Sequence, residues 1–285
     1  SYLENQDYWR LSGLFRPVEL WIRPKTQIAD YTIIAEPSED FSTATVGASL
    51  QLSNQSTKRI KNGVATIEIN GVDKDGRSIH IKREQSINTL QAMGSQTVTL
   101  TDKLSNPRLW SSEDPYLYEV NLTLRNKKGI IESFTNHLGV RRIKVEGEFL
   151  SINGKRIKLK GVNRHEHHSR TGRYVDSLTT KLDVALIKQG NFNMVRTAHY
   201  PHADYFYELC DRYGLYVMVD ANQESHGYGI GNKELGDNPA WTKAHVDRAV
   251  SMVQRLKNYP SIVFWSLGNE GGRGLNLRAM RDTIK

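Results

Sequence analysis

With 285 residues, 38% of them hydrophobic and 25% charged, the chain is long enough to bury one large core or two ordinary ones. No run reaches the roughly eighteen apolar residues that a membrane helix needs, and residues 1–24 lack a charged segment followed by an apolar one, so neither a span nor an export leader is expected within it. The net charge of +8 comes from scattered Lys and Arg, which argues against a nucleic-acid partner, and the lone Cys210 excludes an internal disulfide framework or a cysteine-based zinc site.

The opening stretch, with Pro17 and Pro24 bracketing Val18-Glu19-Leu20-Trp21-Ile22, is too short for a domain. It reads as the tail, residues 1–25, of an upstream β domain. From 26 to 140 short runs alternate with period two: Val46, Ala48, Leu50 and Leu52, then Val64 and Thr66 with Ile67 and Ile69, then Tyr118, Val120, Leu122 and Leu124. Such alternation buries one face of a strand and wets the other. Asn62-Gly63, Asn70-Gly71, Asp75-Gly76 and Lys128-Gly129 supply turn chemistry between the runs. Short strands so punctuated predict an immunoglobulin-like β-sandwich over residues 26–140.

The period then changes. Phe149-Leu150-Ser151-Ile152, Asn153-Gly154 and Ile157-Lys158-Leu159 predict a hairpin leading into Asn163-Arg164-His165-Glu166-His167-His168. Leu178, Leu182, Ala185 and Leu186 form the expected buried face of a helix closed by Gly190, and Met194-Val195 opens a strand ending at His199. A helix over 202–213, with Cys210 on its buried face, stops at Gly214, and the apolar strand Leu215–Val219 ends in Asp220. Asn238 is the expected cap of a third helix, with Pro239 at its first position and Val246, Ala249, Val250, Val253 and Leu256 as its core stripe. Ile262-Val263-Phe264-Trp265 then runs into Ser266-Leu267-Gly268-Asn269-Glu270. Strand-then-helix units with continuously apolar strands predict a parallel sheet under helices, over residues 141–285.

In each unit the unusual polar residues fall at the C-terminal end of the strand: Asn163 to His168, Arg196 and His199, Asp220 with Glu224 and His226, and Asn269 with Glu270. That is the rim on which a (β/α) barrel builds its site. A retaining glycosidase needs a protonated acid for the leaving oxygen and an ionised carboxylate about 5 Å away to attack the anomeric carbon. Glu270 suits the acid role, because it follows an apolar strand and a Gly, and a neighbouring anion such as Glu224 tends to raise its pKa. Asn269 can hold a sugar hydroxyl. By themselves, though, Asn269-Glu270 also reads as a helix N-cap and first-turn acid, Glu224-x-His226 as a solvated pair, and Asp7 as a surface acid. The spacing of His165-Glu166-His167-His168 is wrong for a zinc peptidase helix.

The stretches Gly161–His168, Arg196-Thr197-Ala198-His199-Tyr200-Pro201, Asp211–Val217 and Trp265–Glu270 resemble the glycoside hydrolase family 2 β-galactosidases of the large bacterial type. So do Tyr2–Arg10 and Gly13–Arg16 upstream, and Asn106–Ser111 with Pro115–Tyr118 in the sandwich, so that the resemblance covers essentially the whole chain. It implies a multidomain β plus α/β fold: the tail of a sugar-binding jelly roll (1–25), an immunoglobulin-like sandwich (26–140) and the N-terminal half of a TIM barrel (141–285). It implies Glu270 as the acid/base at the end of barrel strand four, with a nucleophile on strand seven, outside this chain. Glu224, His226 and Glu270 match the family's Mg²⁺ ligands, and Na⁺ or K⁺ is expected in the full-length enzyme. Asp7, His165, His199 and Asn269 match residues that contact galactose or its transition state.

The expected function is hydrolysis of terminal β-galactosides such as lactose by double displacement, by a full-length homo-oligomer whose compartment, cytoplasm or periplasm, the sequence leaves unknown. Another family 2 specificity, such as β-glucuronidase, and a non-catalytic carbohydrate-binding fragment are the alternatives. The chain alone is expected to be inactive. The sequence departs from the family at Gly271-Gly272-Arg273-Gly274, where Ser and His more often follow the Glu, and this bears on the aglycone side.

Overall fold

Alternation builds strands where the sequence shows it. A computed structural model describes residues 2–7, 9–11, 13–228 and 234–285; Tyr8, in the Tyr2–Arg10 motif, lies outside the described residues. The chain divides into two compact units, Glu19–Ile157, and Ser1–Val18 with Lys158–Lys285.

The first unit holds β1 (Thr26–Pro37), β2 (Thr43–Asn54), β3 (Ile60–Val72), β4 (Ser78–Leu90), β5 (Gly94–Ser105), β6 (Tyr118–Asn126) and β7 (Gly129–Leu138). They form two antiparallel sheets, in the orders β1-β2-β5 and β4-β3-β6-β7. Val46, Ala48, Leu50 and Leu52 of β2, Ala65, Ile67 and Ile69 of β3, and Val120, Leu122 and Leu124 of β6 meet in one core. On β3 the inward set is therefore Ala65, Ile67 and Ile69, and Val64 is half-buried. β2 and β5 pair without a slip from Thr43↔Ser105 to Asn54↔Gly94. A one-residue slip would turn every buried side chain of β2 to the other face.

Two of the four expected turns are turns. Asp75-Gly76 lies between β3 and β4, and Lys128 lies in the turn between β6 and β7 with Gly129 opening β7, but Asn62-Gly63 and Asn70-Gly71 lie inside β3. Gly71 serves a close approach instead: a Cβ there would stand 2.6 Å from the Tyr118 ring and 2.7 Å from the Tyr116 hydroxyl. β8 (Ile143–Glu146), β9 (Phe149–Ile152) and β10 (Lys155–Arg156) make a small meander, grouped with the sandwich in the first unit. The hairpin turn falls on Asn153 (φ 52°) and Gly154 (φ 72°), the left-handed pair that a two-residue turn requires. Its second strand is shorter than expected, because Ile157 to Leu159 lie beyond β10.

In the second unit β11 (Gly161–Arg164), β12 (Met194–Thr197), β13 (Tyr216–Asp220) and β14 (Ile262–Ser266) form a parallel sheet in that order. The connecting helices are α1 (Ser177–Gln189), α2 (Asp204–Tyr213) and α3 (Thr242–Leu256), and α4 (Leu275–Ile284) follows β14. α1 starts where the Asp176 side chain accepts from the Thr179 amide. It ends at a Gly190 of ordinary φ (−70°), and the left-handed residue is Asn191 (φ 59°). The expected apolar face of α1 points outward. Leu178, Leu182 and Leu186 are exposed, while Thr180 and Val184 are buried and Ile187 packs on the core. The helix is apolar on more than one side, so periodicity alone could not choose which side meets the sheet.

α2 ends as expected at left-handed Gly214 (φ 72°), whose amide donates to the Cys210 carbonyl, and Cys210 is fully buried. Asn238 caps a short 3-10 turn, Pro239–Trp241, by accepting from the Ala240 amide, and α3 begins one turn later. The buried side of α3 is His245, Ala249, Met252 and Leu256, and Val246 and Val250 lie at its margin.

His202 is fully buried in this unit, its ring nitrogens 3.0 Å from the Arg164 carbonyl and 3.1 Å from that of Tyr200. Burial, with the Arg164 charge second, pushes its pKa well below the ordinary value. The unfolded chain takes up a proton that the native ring refuses, so this contribution is fully present above pH about 6.5 and is lost as pH falls below it. The thermal midpoint is therefore expected to fall between about pH 7 and pH 5, and to fall less steeply in His202→Gln. Parallel slopes for the two proteins would assign the effect elsewhere.

Candidate active site

Parallel strands linked by helices all point the same way, so the residues that end them share one rim. His165 follows β11, His199 follows β12, Asp220 ends β13 with Glu224 and His226 beyond it, and Asn269 and Glu270 follow β14. The structure brings all of the expected site residues into one connected set.

Asp220 is the hub. Its side chain is fully buried, and it accepts from His199 Nδ1 at 2.7 Å and from Arg196, whose Nε and Nη2 lie 3.1 and 2.7 Å from its two oxygens. Arg196 also donates from Nη2 to Asn269 Oδ1 at 3.1 Å, and Asn269 Nδ2 donates to Glu224 Oε1 at 3.0 Å. These contacts fix two orientations. With its Nδ1 donating to a carboxylate, His199 keeps Nε2 for another partner, and the Asn269 amide cannot flip without facing donor to donor. The His165 ring stands edge-on to His199, centroids 5.5 Å apart.

Across the rim His226 Nδ1 lies 3.3 Å from Glu224 Oε1 and 3.7 Å from Glu270 Oε2, and its Nε2 lies 3.1 Å from Asp7 Oδ1. Asp7 arrives on the N-terminal strap, which is held to the loop after β13. The Asn5 amide donates to the Glu224 carbonyl at 3.0 Å and the Glu224 amide to that of Leu3 at 2.8 Å. Leu3 is fully buried. Further along, Arg16 pairs with the buried Glu166 and donates to the Pro201 carbonyl. Of the His165-Glu166-His167-His168 run, Glu166 thus anchors the strap, His167 lies by Trp9 with ring centroids 5.1 Å apart, and His168 bonds to Thr171. Only His165 is brought to His199.

Glu270 itself has a left-handed backbone (φ 40°) between Gly268 (φ 134°) and Gly272 (φ 76°). A non-glycine residue in that region costs about 1–3 kcal/mol and persists only where its surroundings impose it. Here the adjacent Asn269 amide donates to the Gln223 carbonyl at 2.9 Å. Burial raises the pKa of Glu224, opposed by its bond from Asn269 and by the nearby histidines. Burial also lowers the pKa of His165, helped by His199 and His167.

Among the described residues Glu224 Oε2 and His226 Nδ1 are buried without a well-aligned hydrogen-bond partner, and ligand atoms of Asp7, His226 and Glu270 lie within 4.8 Å of one another. A carboxylate-rich set with one imidazole and unsatisfied buried atoms fits a hard divalent cation. Sequence reasoning named Arg196 and Asp220 as polar strand ends but gave them no role, and it passed over Gln223. A charge ending an apolar strand is the visible signal for Asp220; its partners, on other strands, are not visible in the sequence.

Comparison with known proteins agrees with this architecture. The model of glycosyl hydrolases family 2, TIM barrel domain, matches residues 143–285, and that of glycosyl hydrolases family 2 matches residues 26–141. A β-galactosidase from Enterobacter cloacae is 39% identical over 290 residues, covering 100% of this chain and 27% of that protein. The chain thus spans about a quarter of that relative. Among solved structures, a β-glucuronidase from Parabacteroides merdae is similar with TM-score 0.73 at 20% identity, covering 89% of this chain and 30% of that one, which speaks to the fold alone. A family 2 β-galacturonidase from Eisenbergiella tayi, bound to galacturonate, is similar with TM-score 0.72 at 26% identity over 85% of this chain and 41% of that one. With a sandwich matched by one model of the family and a half-ring of parallel strands matched by the other, the chain belongs to glycosyl hydrolase family 2.

Proposed function

We propose that the protein containing this chain is a retaining β-galactosidase in which Glu270 is the acid/base and the nucleophilic carboxylate comes from outside these 285 residues. The carrying observation is the placement of Glu270: a left-handed backbone holds it at the strand-end rim, beside His226 and joined through Glu224 and Asn269 to the Arg196–Asp220–His199 chain. The 39% identity to a β-galactosidase across the whole chain supports the galactoside specificity.

On this reading Glu270 gives its proton to the glycosidic oxygen as the C1–O bond breaks with its electron pair going to that oxygen, and the nucleophile bonds to C1. Glu270, now ionised, then takes a proton from the water that displaces the nucleophile. His199 Nε2, the His165 ring, the second Nδ2 hydrogen of Asn269 and the Asp7 carboxylate bind sugar hydroxyls. Glu224, His226 and Glu270 would hold Mg²⁺, with Asp7 as a further donor. The cation would offset the repulsion among these carboxylates and hold Glu270 in position.

A uronide substrate is the second reading, favoured by the likeness to the galacturonidase. Against it, Arg196 on the rim is engaged by Asp220 and Asn269 and is not free to clamp a sugar carboxylate. The test is turnover by the full-length protein of matched chromogenic β-galactosides, β-glucuronides and β-galacturonides. The galactoside is expected to be preferred by at least about tenfold in kcat/KM, the scale at which a pocket's buried polar groups begin to discriminate. Preference for a uronide would replace the proposal with the second reading.

A further inference from the structure

Asp7 reaches the rim on a narrow support. Its side chain is 82% exposed and lies 3.1 Å from His226 Nε2, so its place is set less by its own contact than by the strap that carries it. An exposed carboxylate loses rotamer and backbone freedom when it binds, and it meets a ligand reproducibly only where the chain around it is already fixed. The structure fixes that chain on both sides of Asp7, each time with an arginine.

Before Asp7, Arg248 of α3 spreads its guanidinium over two segments. Nε donates to the Asn222 carbonyl at 3.0 Å and Nη2 donates to Glu4 Oε1 at 2.5 Å, so one planar group ties the strap to the loop after β13. A rigid fork of donors suits this double duty in a way that a single ammonium does not. Asn222 has a left-handed backbone (φ 46°), and its Oδ1 accepts from Gln6 Nε2 at 3.0 Å, so the residue that Arg248 holds also grips the strap next to Asp7. Gly227 leaves room for the strap, since a Cβ there would stand 2.6 Å from Asn5 Nδ2. β13 lies between β12 and β14, so Arg248 and Asn222 meet the strap away from both edges of the sheet. After Asp7, Arg16 pairs with the buried Glu166, whose Oε1 accepts from the Ala203 amide at 2.9 Å.

We infer that Arg248 is a positioning residue for the sugar site, with Arg16 as the second anchor: together they clasp the strap and hold Asp7 at its reach. Neither arginine belongs to the sugar contacts or to the Glu224, His226 and Glu270 set. The inference rests on Asp7 contacting the sugar, and it is independent of which sugar is bound.

The experiment uses the full-length protein, its Arg248→Met and Glu4→Gln variants, and each of these combined with Asp7→Ala. Met keeps the packed stem of the arginine, and Gln keeps the shape of Glu4 without its charge. The parent selects the substrate, a β-galactoside, β-glucuronide or β-galacturonide, and a uronide preference removes the galactoside reading while leaving the cycle readable. Asp7→Ala and Arg248→Met are each expected to lower kcat/KM about tenfold, the scale of a hydrogen bond to a charged group. Glu4→Gln is expected to lower it about threefold, the scale of a partly exposed ion pair. In the Asp7→Ala background both clasp variants are expected to change kcat/KM no further, because the group that they position is gone. An arginine with a merely structural part would take the same factor from both backgrounds, and that result, or an unchanged kcat/KM in Arg248→Met, overturns the clasp. Should Arg248→Met fail to fold, the cycle is read on Glu4→Gln with the same two outcomes. An unchanged kcat/KM in Asp7→Ala overturns the reading of Asp7 as a sugar contact, and the inference with it.

Discussion

Replacing Glu270 by Gln in the full-length protein is expected to lower kcat/KM for a sugar or alkyl leaving group by about a thousandfold, within the range that general acid catalysis supplies. The loss should be much smaller for a dinitrophenyl leaving group, whose oxygen departs without protonation. With that substrate the slow step becomes hydrolysis of the covalent intermediate, because the base that should activate water is gone. A small external anion such as azide needs no such activation, so it should restore turnover and give a β-linked glycosyl azide. The Gln side chain keeps the volume and the left-handed backbone at position 270, so folding is not at stake. Equal losses on the two leaving groups, or no response to azide, would place the acid/base at another residue.

The second large effect is expected in stability. Asp220 is fully buried and Arg196 is 26% exposed, so the pair is largely removed from water. Removing one partner of such a pair leaves the other charge uncompensated, and Asp220→Ala is expected to destabilise this unit by about 3 kcal/mol. Asp220→Asn should recover part of that loss, because an amide oxygen can still accept from Arg196 while its NH₂ opposes His199 Nδ1–H. Chemical denaturation of the two variants measures the difference. The orientation argument makes a separate demand: ¹⁵N spectra of the His199 ring should report protonation at Nδ1 in the parent chain and a change of tautomer in Asp220→Asn. A loss below about 1 kcal/mol for Asp220→Ala would mean that the pair is as weak as a surface salt bridge.

These two residues also show where sequence reasoning reaches its limit. Glu270 was legible because the strand before it is short, apolar and followed by Gly, and because the motif around it resembles a family. Asp220 was legible only as a polar strand end. Its role depends on Arg196 and His199 at the end of β12 and, through Arg196, on Asn269 after β14, the two strands that flank its own and lie tens of residues away in sequence, and register between parallel strands is not written locally in any of them. The same limit explains α1. A helix with leucines on one side and Val184 and Ile187 on another offers two candidate faces, and the sheet beneath it took the second. The dipeptides Asn62-Gly63 and Asn70-Gly71 carry a turn signal as strong as Asp75-Gly76, yet β3 runs through both, because its pairing with β4, from Ile60↔Leu90 to Val72↔Ser78, outweighs a local preference worth about 1 kcal/mol.

By itself the sequence determined the strand periods, the succession of alternating strands by strand-helix units, the set of polar residues at the strand ends, and the family. Those features depend on side-chain type at short spacing, which a linear chain displays directly. Tertiary structure alone decided that Asp220 joins Arg196 to His199, that Asp7 on the N-terminal strap reaches His226, and that the leucines of α1 face outward. Each is a contact between distant segments, fixed by how strands register and helices rotate once the core has closed, and no residue carries that information in its immediate neighbours.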